Sequence, residues 1–141
     1  MMLNISIMII IQIKVNTDDG EIMNLPSQLR NIEWDTYTCP FGWAVQGLWP
    51  PVSESQTAPE PTSVCRSKNG ELIAVGFSNG EVRLYDFPCI SYPAPYIMQT
   101  LHVGPVSRCS FNSDTTLLLT IGQNENHIVT WRISKQHYST P

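Results

Sequence analysis

The residues of this chain that could bind a metal ion or act as nucleophiles are its four cysteines and three histidines. The cysteines are Cys39, Cys65, Cys89 and Cys109. The histidines are His102, His127 and His137. Zinc knuckles and redox dithiols need two thiols a few residues apart, and no two cysteines here are that close in sequence. We therefore interpret the thiols as small buried side chains and the imidazoles as surface groups, with no metal and no cofactor expected. Reduced cysteines favour an intracellular compartment.

An enzyme is disfavoured by the arrangement of the remaining reactive groups. His102 and Cys109 could form a base and a nucleophile, but such a pair needs a third group to orient the base, and the sequence offers no obvious candidate. The stretch "GFSNG", Gly76 to Gly80, lies between two strand patterns and does not precede a helix, so it is not a phosphate-binding loop. We expect no catalytic residues.

Composition also limits the classes of partner. The chain of 141 residues has eight Lys and Arg against twelve Asp and Glu, a net charge of −4, and its basic residues are scattered. Nucleic-acid binding normally leaves a basic stripe, so we expect no nucleic-acid partner. Charged residues make up only 14% of the chain and proline occurs eleven times, which favours a loop-rich β protein.

The apolar N-terminal stretch, "MMLNISIMIIIQIKV", raises the question of a membrane segment. The run from Ile5 to Val15 is too short to span a bilayer as a helix. Its isoleucines are β-branched and favour a buried strand, with a signal-anchor remnant as the alternative. We expect no membrane partner. The proline-rich passage from Pro50 to Pro61 predicts an exposed loop, with a polyproline docking segment as the alternative.

Two segments of the chain nearly repeat each other. "ELIAVGFSNGEVRLYDF" begins at Glu71, and "LLLTIGQNENHIVTWRI" begins at Leu117. Without a gap, Gly76 falls on Gly122 and Tyr85 falls on Trp131. Each copy has two runs of strand formers around a short polar turn, which predicts a β-hairpin. Hairpins repeated at a period in the forties are typical of β-propeller blades.

The alternating runs predict the strands and their grouping into blades. "TSVCRS", "ELIAVGF", "EVRLYDF" and "YIMQTL" form a four-stranded meander, and "VSRCSF", "TLLLTIG" and "HIVTWRI" begin the next one. "NIEWDTYTC" and "WAVQGLW" are also strand-like. We predict an all-β, partial β-propeller: residues 1–61 end a preceding blade and add the Pro-rich loop, residues 62–101 form one complete blade, and residues 102–141 form a last, incomplete blade. Roughly three or more repeats are needed for a self-supporting stack, so the ring is incomplete.

The repeats resemble WD40 blades. The structural repeat positions are Gly76, Gly80, Tyr85, Asp86, His102, Gly122 and Trp131. In WD40 blades a hydrogen-bonded set often joins the histidine, a second-strand serine or threonine, a turn aspartate and the tryptophan. The second-strand and turn positions are Val75 and Asn79 in the first copy and Ile121 and Glu125 in the second. These residues predict that the full set cannot form, although His102 and Trp131 could remain a pair.

A more specific resemblance is to the C-terminal part of the echinoderm microtubule-associated protein-like family. It covers roughly residues 13–133 and rests on "NIEWDTYTCPFGWAVQGLWP" and "SVCRSKNGELIAVGFSNGEVRLYDFPC". The matching residues are Glu33, Trp34, Thr38, Cys39, Gly42, Trp49, Pro50, Cys65, Arg66, Gly76, Gly80, Pro88 and Cys89. Leu48 stands where the family has isoleucine.

The resemblance implies a non-catalytic interaction module of a cytoplasmic, cytoskeletal WD-repeat protein, with tubulin or microtubules and the remaining blades as partners. A generic WD40 scaffold for another cytosolic complex is the alternative. Because tubulin's surface is acidic and this chain carries −4, contact would depend on shape and apolar complementarity. Trp43, beside a turn, is a candidate for that contact, because tryptophan is enriched at interface hot spots.

Overall fold

The computed structural model describes residues 37–51 and 57–134. The described residues form one 3₁₀ helix, Trp43–Leu48, and seven strands. The strands are β1 Pro61–Arg66, β2 Leu72–Phe77, β3 Glu81–Asp86, β4 Tyr96–Thr100, β5 Val106–Phe111, β6 Leu117–Gly122 and β7 Ile128–Arg132. The strand predicted for residues 5–15, the centre of the Pro-rich loop and residues 135–141 lie outside the described residues. The single helix among the described residues is too short to cross a membrane.

The strands form two antiparallel sheets, which confirms the predicted all-β fold. The first has the order β1-β2-β3-β4 and the second has the order β5-β6-β7. The β2–β3 turn reverses at Gly80, whose φ of 85° is in the region that favours glycine. Its predecessor Asn79 accepts the backbone N–H of Glu81 at 3.2 Å. In the β6–β7 turn the residue with positive φ is Asn124.

The core has two layers on opposite faces of the first sheet. Strand β2 is buried from Ile73 to Phe77 and contributes to both layers. One layer lies against the 3₁₀ helix and contains Val45, Leu48, Val64, Ile73, Val75, Phe77, Tyr85, Cys89 and Ala94. The other joins the two sheets and contains Cys65, Ala74, Val82, Val106, Cys109 and Leu118. Apolar burial of this kind is the main stabilising term of each blade.

The two sheets also meet through a polar contact. The hydroxyl of Thr62 donates to the carbonyl of Val106 at 2.7 Å and lies 3.1 Å from the carbonyl of Gly76. Thr62 is on β1, Gly76 is on β2 and Val106 is on β5, so one side chain fixes the position of the second sheet's first strand against the first sheet.

The prediction that "WAVQGLW" is a strand was wrong, because residues 43–48 form a 3₁₀ helix. The backbone N–H of Gly47 donates to the carbonyl of Cys89 at 2.8 Å, and the N–H of Cys89 donates to the carbonyl of Ala44 at 2.9 Å. A Cβ at Gly47 would lie 2.6 Å from the carbonyl oxygen of Ser91. Contact between the 3₁₀ helix and the loop after β3 therefore determines the conformation of residues 43–48. The strand propensity of this segment did not indicate that conformation.

Candidate functional site

A chain of buried and half-buried polar side chains connects the loop before β5 to strands β6 and β7. Nδ1 of His102 lies 2.5 Å from Oε2 of Glu125, and Nε2 of His102 lies 2.8 Å from Oγ1 of Thr120. The indole Nε1–H of Trp131 donates to the same Thr120 oxygen at 2.8 Å. The side chain of His102 is 0% exposed and that of Glu125 is 9% exposed. The prediction that the imidazoles are surface groups was therefore wrong for His102. We call these four residues the polar set.

The polar set contradicts the prediction that a full WD40-type set cannot form. The sequence comparison assigned the second-strand position to Ile121, but strand alternation buries Leu118, Thr120 and Gly122 while the residues between them are more exposed. The hydroxyl therefore comes from Thr120, one residue earlier. Glu125 replaces the shorter aspartate and still reaches His102. The predicted pairing of His102 with Trp131 occurs through Thr120.

The first blade does not repeat this arrangement. The residue that matches Thr120 in the gap-free repeat is Ala74, which is fully buried and has no hydroxyl. Tyr85, at the position of Trp131, is buried in the layer that faces the 3₁₀ helix, and burial raises the pKa of its phenol. Its ring centroid lies 5.3 Å from that of Tyr96. The following residue, Asp86, is exposed at the end of β3. This blade depends on apolar packing at the positions where the second blade uses hydrogen bonds.

Donor and acceptor roles in the polar set follow from its chemistry. An indole N–H can only donate, so Thr120 accepts from Trp131 and can donate its own proton to Nε2 of His102. Nδ1 of His102 then carries the proton that faces the Glu125 carboxylate. The other carboxylate oxygen, Oε1, accepts the backbone N–H of Val103 at 2.7 Å. The hydrogen bond from His102, followed by that from Val103, lowers the pKa of Glu125.

Three groups of this region could be considered as metal ligands. His102, Glu125 and His127 each offer one atom, and these atoms lie within 4.8 Å of one another. However, both ring nitrogens of His102 already have hydrogen-bond partners, and Nε2 of His127 contacts Oε2 of Glu125 at 3.2 Å. The hydrogen bonds of His102 and the contact between His127 and Glu125 thus account for the positions of all three groups, and an ion would have to displace them.

Glycines surround the polar set at the points of closest approach. A Cβ at Gly122 would lie 2.4 Å from the Glu125 carboxylate, and a Cβ at Gly80 would lie 2.1 Å from the carbonyl oxygen of His102. A Cβ at Gly76 would lie 2.4 Å from the Val106 side chain, where the two sheets meet. At these distances an added Cβ would require the neighbouring atoms to shift, so the three glycines permit the contacts between elements.

Trp43 lies away from the polar set, on the 3₁₀ helix, where it is half-buried. The neighbouring Trp49 has a packing role: its Nε1–H donates to the carbonyl of Pro40 at 2.8 Å and its ring stacks on Phe41 at 4.7 Å. Trp49 also packs against the core layer that contains Val45.

The thiols have packing roles. Cys65, Cys89 and Cys109 are buried, and Cys39 is exposed. Sγ of Cys109 lies 3.6 Å from the carbonyl oxygen of Ala74. The neighbouring Cys109 thiol and burial raise the pKa of Cys65, and burial raises the pKa of Cys89 to about 11. Because the described contacts of His102 are to Thr120 and Glu125, a Cys109–His102 pair is not formed.

Sequence reasoning named His102, Gly122 and Trp131, and the structure brings them together at one end of the second sheet. It missed Thr120 and treated Glu125 as unable to replace an aspartate. Alternation in β6 could have identified Thr120, but the run "LLLT" is apolar at every position before the threonine and conceals which residues face inward.

Comparison with known proteins identifies a family and several relatives of this chain. A family model described as the echinoderm microtubule-associated protein second beta-propeller matches residues 6–133. Echinoderm microtubule-associated protein-like 1 of Rattus norvegicus is 33% identical over 104 residues, which is 74% of this chain and 12% of that protein. Echinoderm microtubule-associated protein-like 3 of Mus musculus is 35% identical over 104 residues, 74% of this chain and 11% of that protein. Echinoderm microtubule-associated protein-like 4 of Homo sapiens is 31% identical over 107 residues, 76% of this chain and 11% of that protein.

Proposed function

Because the chain belongs to the echinoderm microtubule-associated protein family, as part of its second β-propeller, we propose that it contributes to microtubule binding. The family is one of non-catalytic WD-repeat proteins, so the chain is an interaction module and not an enzyme. The observation that carries the proposal is the match of the second-propeller model to residues 6–133. A cytoplasmic, cytoskeletal location follows from the same proposal.

The proposal concerns a contribution and not a complete activity. The chain aligns with only 11–12% of the length of the relatives named above, and their printed names describe microtubule association of the whole proteins. We infer that the two sheets act with further blades of a propeller, with residues 62–101 as one blade and residues 102–141 as the start of another. The shared core layer between the sheets supports this division.

The charge of the chain indicates how such a contact would work. A net charge of −4 does not attract an acidic surface over long distances, so attraction between opposite charges is not the expected driving force. We infer that shape and apolar contact dominate, with Trp43 as a candidate contact because its indole is half-buried on a short helix. Binding of this kind should depend weakly on salt.

Co-sedimentation with polymerised tubulin tests the proposal. We expect the chain to pellet with microtubules, and to do so to a similar extent at low and at physiological ionic strength. Trp43→Ala should reduce pelleting while far-UV circular dichroism remains unchanged. Recovery of all protein in the supernatant at an excess of microtubules would contradict the proposal and favour a scaffold for a different complex. Pelleting without microtubules is the control for aggregation.

A further inference from the structure

The fourth strand and its flanking loops carry an unusual concentration of exposed apolar side chains. Nine large hydrophobic residues are exposed among the described residues, and seven of them lie between positions 90 and 103. They are Ile90, Tyr92, Tyr96, Ile97, Met98, Leu101 and Val103. Single exposed apolar residues are ordinary, but such a cluster marks an interaction surface. We call residues 90–103 the β4 rim.

The β4 rim carries no fixed charge. No Asp, Glu, Lys or Arg occurs between Asp86 and Arg108. On the neighbouring strand Glu81 and Arg83 neutralise each other, because Nε of Arg83 donates to Oε2 of Glu81 at 2.8 Å, and the remaining charge, Asp86, lies beyond the residues that pair with β4. The guanidinium of Arg83 also lies 4.6 Å from the ring centroid of Tyr96. The net negative charge of the chain therefore does not oppose contact between two copies at this surface.

Strand β4 is also an edge strand with an open side. Within the described residues it pairs with β3 alone, at the end of the order β1-β2-β3-β4. Prolines precede it at positions 93 and 95, but none lies within Tyr96–Thr100, so its outward N–H groups can donate. Edge strands are normally protected by lysine, proline or a bulge, and the pairing of β3 with β4 is regular from Glu81↔Thr100 to Tyr85↔Tyr96.

We propose that two copies of the chain associate through β4, with the two free edges pairing antiparallel about Met98 into one eight-stranded sheet. In this register Tyr96 lies opposite Thr100 of the second copy, Ile97 lies opposite Gln99, and Met98 lies opposite Met98. In a two-fold interface the same strand from two copies runs antiparallel to itself, so residues on that strand must tolerate each other across the interface. A strand without charged residues meets this requirement because no like charges are brought together. The ladder between β3 and β4 then continues across the interface.

The oligomeric state of the 141-residue chain in solution tests this proposal. Sedimentation velocity over a range of concentrations should show a monomer that becomes a dimer. Met98→Lys and Met98→Glu should each remain monomeric, since like charges would lie directly opposite each other. An equal mixture of the two variants should recover the dimer, because opposite charges then meet.

The second sheet provides a matched control. Ile128 on β7 is an exposed apolar residue of an edge strand, 62% exposed against 43% for Met98 on β4. Ile128→Lys should therefore leave the dimer intact. A wild-type chain that stays monomeric would overturn the proposal, as would a dimer lost in Ile128→Lys but kept in the Met98 variants. So would a monomer that binds neutral phosphatidylcholine vesicles, which would assign the β4 rim to a lipid surface.

A measurement without substitutions keeps the test decisive if the Met98 variants fail to fold. Amide hydrogen exchange of the wild-type chain should slow within Tyr96–Thr100 as concentration rises, while exchange in β7 stays constant. Equal exchange rates for β4 at low and high concentration would refute pairing at this edge.

Discussion

Replacing Thr120 with valine tests the central role of the polar set. The two side chains have nearly the same shape, so Thr120→Val removes the hydroxyl without opening a cavity. Nε2 of His102 and the indole N–H of Trp131 then lose their shared partner. Thr120 is 0% exposed and the His102 side chain is fully buried, so water cannot replace the hydroxyl at the imidazole.

The expected magnitude follows from the two unsatisfied groups. Leaving one buried donor or acceptor unpaired costs about 1–3 kcal/mol. The His102 nitrogen is fully enclosed, whereas Trp131 is half-buried and its N–H can regain part of its hydrogen bonding from solvent. We therefore expect Thr120→Val to lower the free energy of unfolding by about 2–4 kcal/mol.

Urea unfolding of the chain, followed by tryptophan fluorescence, measures this change. Thr120→Ser keeps the hydroxyl and loses one methyl group, so it should cost about 1 kcal/mol. Thr130→Val, the same replacement at an exposed position of β7, should change stability by less than about 0.5 kcal/mol. If Thr120→Val is as stable as Thr120→Ser, or as stable as Thr130→Val, the Thr120 hydroxyl does not stabilise the fold through the polar set.

Three further predictions concern the packing of the two sheets, the polar set and the thiols. Gly76→Ala should lower the free energy of unfolding by urea by about 1–3 kcal/mol, because the added Cβ would overlap Val106. Gly104→Ala is the control and should have little effect, because the nearest atom to its Cβ would be 3.9 Å away. The pKa of Glu125 is lower in the folded chain than in the unfolded one, so its contribution to stability is present above about pH 5 and is lost as pH falls. Glu125→Gln should therefore make the urea midpoint depend less on pH in that acidic range. An unchanged pH dependence in this variant would contradict the prediction. Iodoacetamide followed by mass spectrometry should modify Cys39 in the folded chain and the three buried cysteines only after denaturation, and rapid labelling of all four would show that the core thiols are accessible.

The strands were predictable because their sequences alternate and their turns contain residues suited to reversal. Six of the seven strands lie within the predicted alternating runs, and β1 begins one residue before its run, at Pro61. Gly80 has the positive φ that its place in the turn required. The repeat of Gly76 at Gly122 correctly indicated two equivalent hairpins. Local pattern sufficed here because each hairpin is stabilised by residues close in sequence.

One error arose where distant contacts decided the local structure, and two arose at single residues whose roles the local pattern did not show. The 3₁₀ helix depends on backbone hydrogen bonds to Cys89, about 40 residues away in sequence, which no local pattern records. Thr120 follows three leucines, so hydrophobicity could not show which side of β6 faces inward. Glu125 was rejected as too different from aspartate, although one extra methylene lets it reach both His102 and the N–H of Val103.

Burial of both faces of β2 has a consequence for how this segment can evolve. From Ile73 to Phe77 each side chain belongs to one packing layer or the other, so nearly every replacement disturbs a contact. In β6 the exposed Leu119 lies between two buried neighbours, Leu118 and Thr120. Amino-acid substitutions can therefore be tolerated at alternate positions of this strand. A saturation-mutagenesis library should therefore show a two-residue rhythm of tolerance along β6 and near-uniform intolerance along β2.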